Sequence, residues 1–251
     1  QRFLQNPKLY QKYTKILPVA MKTTGTTPDI EIIYEDNHLL AVNKPAGLLS
    51  QEDITGKPDL LNLCKRYLKD EYNKPGNVFL GLLHRLDKPV SGVMLFAKTS
   101  KAASRLSKQI RDRTIKKNYL AIVEGSPPSQ QYLSHYLVKD RDRNISSVVH
   151  KNLGEGKLSE LTFKKLGSAN GLHLLQISLI TGRAHQIRVQ LSSEGYPVWG
   201  DNKYGSSNPG NIALHSAGFI FEHPTLKKEI KLLANLPKVQ PWNYFGKIVI
   251  E

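Results

Sequence analysis

Leu80-Gly81-Leu82-Leu83-His84-Arg85-Leu86-Asp87-Lys88-Pro89-Val90-Ser91-Gly92-Val93-Met94-Leu95-Phe96-Ala97 reads as two apolar runs around one polar turn. Residues 80–83 and 93–97 are predicted strands, with Pro89 and Gly92 turning the backbone between them. Asp87 is then presented on a loop held by two buried strands, with Arg85 and Lys88 on either side. A carboxylate so placed is suited to act as an acid, a base or a nucleophile. The plain alternative is an ordinary ion pair in a solvated turn.

Working outward, residues 30–34 and 39–42 are predicted strands joined by the turn Glu35-Asp36-Asn37-His38, and Asn43-Lys44-Pro45-Ala46-Gly47 is a second turn. Asp59 is the expected cap of a helix whose apolar residues Leu60, Leu61, Leu63, Cys64, Tyr67 and Leu68 share one side. Ser100 is the expected cap of a basic helix with Ala103, Leu106 and Ile110 inward. Strands are predicted at 119–123 and 132–138. A hairpin joins 158–166 to 172–180 around Ser168-Ala169-Asn170-Gly171, a helix covers 185–191, and late strands cover 212–221 and 229–233. Runs of strands rather than strict alternation with helices predict an α+β fold with a mainly antiparallel sheet. Residues 1–29 carry no sustained apolar period and read as an N-terminal extension; residues 30–251 read as one folded core domain.

Composition narrows the functional classes. Hydrophobic residues make up 39% and charged residues 23%, an ordinary globular balance, and no apolar run is long enough for a membrane helix. The single cysteine, Cys64, excludes an internal disulfide and a cysteine-based zinc cluster, and its apolar surroundings mark a structural thiol. Thirty-six Lys and Arg against 21 Asp and Glu leave a net charge of +15, which points to a polyanionic partner, with nucleic acid first. The excess is concentrated between residues 101 and 117, where Lys101, Arg105, Lys108, Arg111, Arg113, Lys116 and Lys117 accompany only Asp112. That stretch is expected to track phosphates, with Arg105 and Arg111 among the contacts.

Three further motifs carry candidate chemistry. Lys117-Asn118-Tyr119-Leu120-Ala121-Ile122-Val123-Glu124-Gly125 sets Tyr119 at the head of an apolar strand, where it either serves a site or merely packs. Thr181-Gly182-Arg183-Ala184-His185-Gln186-Ile187-Arg188 is a Gly-Arg turn entering a helix. It is expected to leave backbone N–H groups free and to aim Arg183 at a carboxylate or phosphate, with helix capping as the plain alternative. Gly195-Tyr196-Pro197-Val198-Trp199-Gly200-Asp201-Asn202-Lys203-Tyr204-Gly205 is a Gly- and aromatic-rich loop suited to folding against a site.

Taken in this order, these segments, with Asn43 to Gly47, Ala213-Leu214-His215-Ser216-Ala217 and Phe221-Glu222-His223-Pro224, resemble the pseudouridine synthases of the RluA type over about residues 30–235. The resemblance implies an extended mixed sheet with flanking helices and loops and a central active-site cleft. It also implies that a uridine in tRNA or ribosomal RNA becomes its C-glycoside isomer, with no metal and no cofactor. Asp87 then attacks C1′ or removes the C2′ proton. Arg183 is the expected cation that keeps Asp87 ionised, and Tyr119 is expected to lie against the base. Arg85 is expected to fill the space left by the flipped nucleotide or to contact phosphate. Lys44, Lys88, His185 and Arg188 complete the expected RNA-binding set.

After the aspartate, many members of the family have Arg, a variable residue and Thr, whereas this chain has Lys88, Pro89 and Val90. Residues 1–29 are too short for the small N-terminal RNA-binding domain of many members, so recognition is expected to fall to the core. A cytoplasmic monomer that binds no membrane is expected. The competing readings are a non-catalytic RNA-binding protein on the same fold and a metal-dependent nuclease. The scattered histidines and the lack of paired-carboxylate spacing argue against the nuclease.

Overall fold

Period-2 and continuously apolar stretches of the chain become strands, and the two 3.6-period stretches become helices. The computed structural model describes residues 19–21, 29–151 and 156–246. In chain order the elements are β1 (Val19–Met21), β2 (Ile30–Glu35), β3 (Leu39–Lys44), α1 (Leu60–Glu71), β4 (Gly81–Leu82), β5 (Ser91–Ala97) and α2 (Ser100–Arg111). There follow β6 (Lys116–Val123), β7 (Gln130–Asp140), β8 (Ile145–Val149), β9 (Lys157–Ala169), β10 (Leu172–Leu179), α3 (Gln186–Ser193), β11 (Leu214–Glu222) and β12 (Glu229–Leu233). Of the expected extension 1–29, only β1 and Asp29 are described; β1 pairs antiparallel with the start of β2, and the rest lies outside the described residues. No described helix is long and apolar enough to cross a membrane.

The chain divides into two compact units. The first takes the described residues up to Ile115 together with Ser216–Leu236. In it β1, β2, β3, β5 and β11 lie in that order, with β4 on β5 and β12 on β11. The pairs β2·β3, β3·β5, β4·β5 and β11·β12 are antiparallel. β5 is buried along its whole length, as its unbroken apolar run requires of a strand covered on both faces. Ile33, Leu39, Ala41, Val93, Leu95, Phe219, Phe221 and Leu232 pack with Ala102 and Leu106 of α2 into one core. The N-cap of α2 is Thr99 rather than Ser100: its side chain accepts the N–H of Ala102, and Ser100 becomes the first helical residue. Ala102 is buried, whereas the expected inward residues Ala103 and Ile110 are only partly so.

Asp59 caps α1 as expected, accepting the N–H of Asn62. Leu60, Cys64 and Leu68, each four residues from the next, form its buried stripe. The outer side of the helix is tied down by Glu35, which accepts the hydroxyls of Tyr67 and Tyr72 and pairs with Lys98. Cys64 is free and fully buried, and burial pushes its thiol well above the ordinary range.

The second unit takes Lys116–His215 together with the described residues from Pro237 on. Its strand order is β6, β10, β9, β7 and β8, all antiparallel. The β9–β10 hairpin closes at Asn170 and Gly171, both at positive φ, which these residue types tolerate. β8 was not anticipated: Ile145-Ser146-Ser147-Val148-Val149 is short and half polar, and its pairing with β7 makes it a strand.

One signature residue plays a different part from the one expected. Gly92 does not turn the chain but lies inside β5, opposite Lys44 of β3, at a φ of 114°. A Cβ there would lie 2.2 Å from the carbonyl oxygen of Ser216. Both the backbone angle and the close approach therefore require glycine. Gly92→Ala is expected to lower the unfolding free energy by about 2 kcal/mol or more, measured by urea denaturation.

Candidate active site

The turn between β4 and β5 is held at almost every second residue. The ring of His84 stacks on Phe219 at 4.5 Å, and its Nε2 accepts the N–H of Leu95. Leu86 is buried and exchanges two hydrogen bonds with Ser50: the Ser50 hydroxyl donates to the Leu86 carbonyl at 2.6 Å and accepts the Leu86 N–H at 3.1 Å. The carbonyl of Lys88 accepts both the N–H of Gly47 and the ammonium of Lys44. The N–H of Val90 returns to the carbonyl of Asp87 at 3.0 Å, closing the turn. Between these anchors Arg85 and Lys88 are exposed and Asp87 is half-buried.

Lys44 was expected on the RNA-binding surface, and the structure places it in the interior. It is 0% exposed, and its Nζ donates to the carbonyls of Pro45, Leu48 and Lys88 at 3.0, 2.6 and 3.1 Å. Its register on β3 points the side chain inward, so the loop at 45–48 folds around the ammonium instead of the ammonium reaching solvent. Burial pulls Lys44 down to about 7, opposed by the negative charge of Asp87. Lys44 is thus a cation of the same unit whose field couples to Asp87.

The second unit builds its polar corner at the entry to α3. Gln186 organises it: its Oε1 accepts the backbone N–H of Arg183 at 3.0 Å and the Thr181 hydroxyl at 2.8 Å, while its Nε2 donates to the Glu160 carbonyl. The Arg183 N–H expected to be free is therefore engaged. The Arg183 side chain is exposed, with its Nε donating to the Leu158 carbonyl at 3.3 Å. Tyr119 is buried on β6, opposite Ile177 of β10. Two residues earlier on the same face, Lys117 is buried enough for desolvation to lower its ammonium.

His185 and Arg188 were also expected to face RNA, and both are buried. His185 sits at the N-cap of α3 in the left-handed region, at a φ of 54°. Its Nδ1 lies 2.7 Å from the Tyr204 hydroxyl, which also accepts the N–H of Ser146. Arg188 forms a two-point pair with Asp201, Nε at 2.6 Å and Nη2 at 2.8 Å, and lies over the Tyr204 ring. The Gly- and aromatic-rich loop thus folds against α3 through Asp201 and Tyr204. On the basic helix, Arg105 is half-buried and donates to the Pro224 carbonyl at 2.7 Å, whereas Arg111 is exposed. Among the described residues, no three His, Cys, Asp or Glu side chains gather into a group that could hold a metal ion.

Of the expected residues, Asp87, Arg85, Lys88 and Lys44 therefore lie together in the first unit, and Tyr119, Arg183, His185 and Arg188 in the second. Ser50 was not anticipated, because a serine in an apolar stretch gives no pattern to read. Asp201 was quoted only as part of a loop, since its partner lies on another element.

A family model described as RNA pseudouridylate synthase matches residues 38–193, which contain the anchored turn and all of α3. The chain belongs to this family. Among curated members, the synthase is 32% identical over 248 residues to the ribosomal large subunit pseudouridine synthase C of Rickettsia bellii, covering 92% of this chain and 79% of the relative. It is also 32% identical over 243 residues to the ribosomal large subunit pseudouridine synthase D of Zymomonas mobilis, covering 90% and 76%. Among solved structures it is similar to human RNA pseudouridylate synthase domain containing 4, with a TM-score of 0.70, 25% identity and coverage of 82% and 88%. These matches make it an RNA pseudouridine synthase of the RluA type.

The two lysines beside Asp87 should respond very differently to substitution. Lys44→Met is expected to lower the unfolding free energy by about 3 kcal/mol, because the buried Leu48 carbonyl and the Pro45 carbonyl lose this donor and the Lys88 carbonyl keeps only the Gly47 N–H. Lys88→Ala, at an exposed position, should stay within about 0.5 kcal/mol. Chemical denaturation of both variants checks the contrast.

Proposed function

We propose that this synthase isomerises a uridine of large-subunit ribosomal RNA, with Asp87 as the reacting carboxylate. The observation that carries the assignment is the anchoring of the turn. The backbone is tied at Leu86 and at Lys88, so the carboxylate between them is held in place without being enclosed. A reacting group gains most when its geometry is fixed before the substrate arrives. The choice of RNA rests on the names of the curated relatives, which are synthases of the ribosomal large subunit.

Two routes start from the ionised carboxylate. Asp87 attacks C1′ and displaces the uracil at N1, or it removes the C2′ proton as the base departs, leaving a glycal. In either case the uracil turns and C5 bonds to C1′, which breaks the Asp87–C1′ bond on the first route and returns the proton to C2′ on the second, and the hydrogen on C5 is lost to solvent. The ammonium of Lys44 in the first unit and the guanidinium of Arg183 in the second are the cations assigned to support the carboxylate. Tyr119 is assigned to stack on the base and to help take the C5 proton. Exposed Arg85 is assigned to the nucleotide's vacated place in the stack, and exposed Lys88 and Arg111 to phosphates.

Release of tritium from ribosomal RNA labelled at uridine C5 tests the proposal. Wild-type protein should release it, and Asp87→Asn should do so more slowly by roughly 10⁴-fold or more. Fast release by the variant would remove Asp87 from the reaction. Release from transfer RNA but not from ribosomal RNA would overturn the substrate. Arg85→Ala should lose more rate on folded RNA than on a short single strand, because only the folded RNA needs its stack refilled.

A further inference from the structure

Asp87 is followed by a carbonyl held by a lysine, and it is preceded by a residue held by a serine. Ser50 is 6% exposed and lies six residues after Lys44, at the end of the loop that wraps the Lys44 ammonium. Its hydroxyl donates to one backbone group of Leu86 and accepts from the other. The hydroxyl also lies 3.4 Å from Met94 Sδ. The Leu86 carbonyl belongs to the peptide plane that begins Asp87, so a bond to it sets the direction in which the Asp87 Cα leaves that plane. The Leu86 N–H belongs to the preceding plane, on the Arg85 side. One hydroxyl therefore fixes both peptide planes of Leu86, a task that a neighbouring strand would otherwise perform. Among the described residues no strand pairs there: β4 ends at Leu82 and β5 starts at Ser91.

We infer that Ser50 is a positioning residue for the isomerisation, holding the Asp87 carboxylate in its reactive orientation through the backbone of Leu86. The inference rests on the reading of Asp87 as the reacting group. Without the hydroxyl, the Leu86 groups lose a partner that water can hardly replace in a buried setting. The turn then samples orientations in which the carboxylate misses the ribose by a fraction of an ångström or more. Such displacements slow chemistry while leaving RNA contacts made by exposed side chains in place.

The test separates chemistry from binding. Ser50→Ala, Ser50→Thr and Ser50→Val are compared with wild type in single-turnover tritium release from ribosomal RNA, alongside the RNA dissociation constant of each. Thermal melting confirms that each variant is folded at the assay temperature. Ser50→Ala is expected to slow the chemical step by roughly 10- to 100-fold with an RNA dissociation constant within about twofold of wild type. Thr and Val have nearly the same shape, so Ser50→Thr should recover the rate and Ser50→Val should not. If neither methyl is accommodated, Ser50→Ala alone decides through its split between rate and affinity. A wild-type rate in Ser50→Ala, or a loss carried wholly by RNA affinity, overturns the role. Asp87→Asn is measured beside them. If it is inactive while Ser50→Ala is normal, only the positioning role fails; if it turns over freely, the assignment of Asp87 fails.

Discussion

A lysine ammonium with no exposed surface organises this end of the molecule. Taking such a charge out of water costs several kcal/mol, and only strong, well-directed acceptors offset it. The carbonyls of Pro45, Leu48 and Lys88 supply them, and supplying them dictates the path of two separate loops. The chain after β3 must curl back over Nζ, which brings the N–H of Gly47 onto the same Lys88 carbonyl and carries Ser50 to Leu86. Gly92, opposite Lys44 in the ladder, lets β5 approach the backbone of Ser216. The charge thus sets loop geometry, and loop geometry sets where Asp87 sits.

A comparable economy governs the second unit, where Arg188 and His185 serve internal order rather than display. Arg188 satisfies Asp201, His185 satisfies Tyr204, and Gln186 gathers the turn at 181–183. These bonds replace regular pairing in a stretch that has none, and buried polar groups of this kind specify one arrangement only when their partners are met. The net charge of +15 therefore overstates what the protein offers to a polyanion, since some of its cations face inward.

Most of the fold could be read from the chain because its strands are either continuously apolar, as in β5, or bounded by clear turns such as Asn170-Gly171. Asp36 closing the β2–β3 turn through the N–H groups of His38 and Leu39 is a local matter, and local matters are visible in sequence. β8 escaped because its identity as a strand comes from β7. The candidate site was legible in its motif and less so in its geometry. Lys44, His185, Arg188 and Arg105 read as surface cations because residue type says nothing about which way a strand or helix faces once distant segments close over it. Ser50 and Asp201 matter through partners 36 and 13 residues away, a distance that no short pattern spans.

The lone thiol of α1 has a practical corollary. Cys64 sits at the centre of the helix's buried stripe, with no exposed surface and a protonated sulfur. Alkylating reagents act on the exposed thiolate, so in the native state it is doubly shielded. Labelling can proceed only when local opening uncovers the buried stripe, and its rate reports the free energy of that opening. The protein thus carries its own clock for local unfolding, and a dye attached through a cysteine added at the surface would face no competition from the native one.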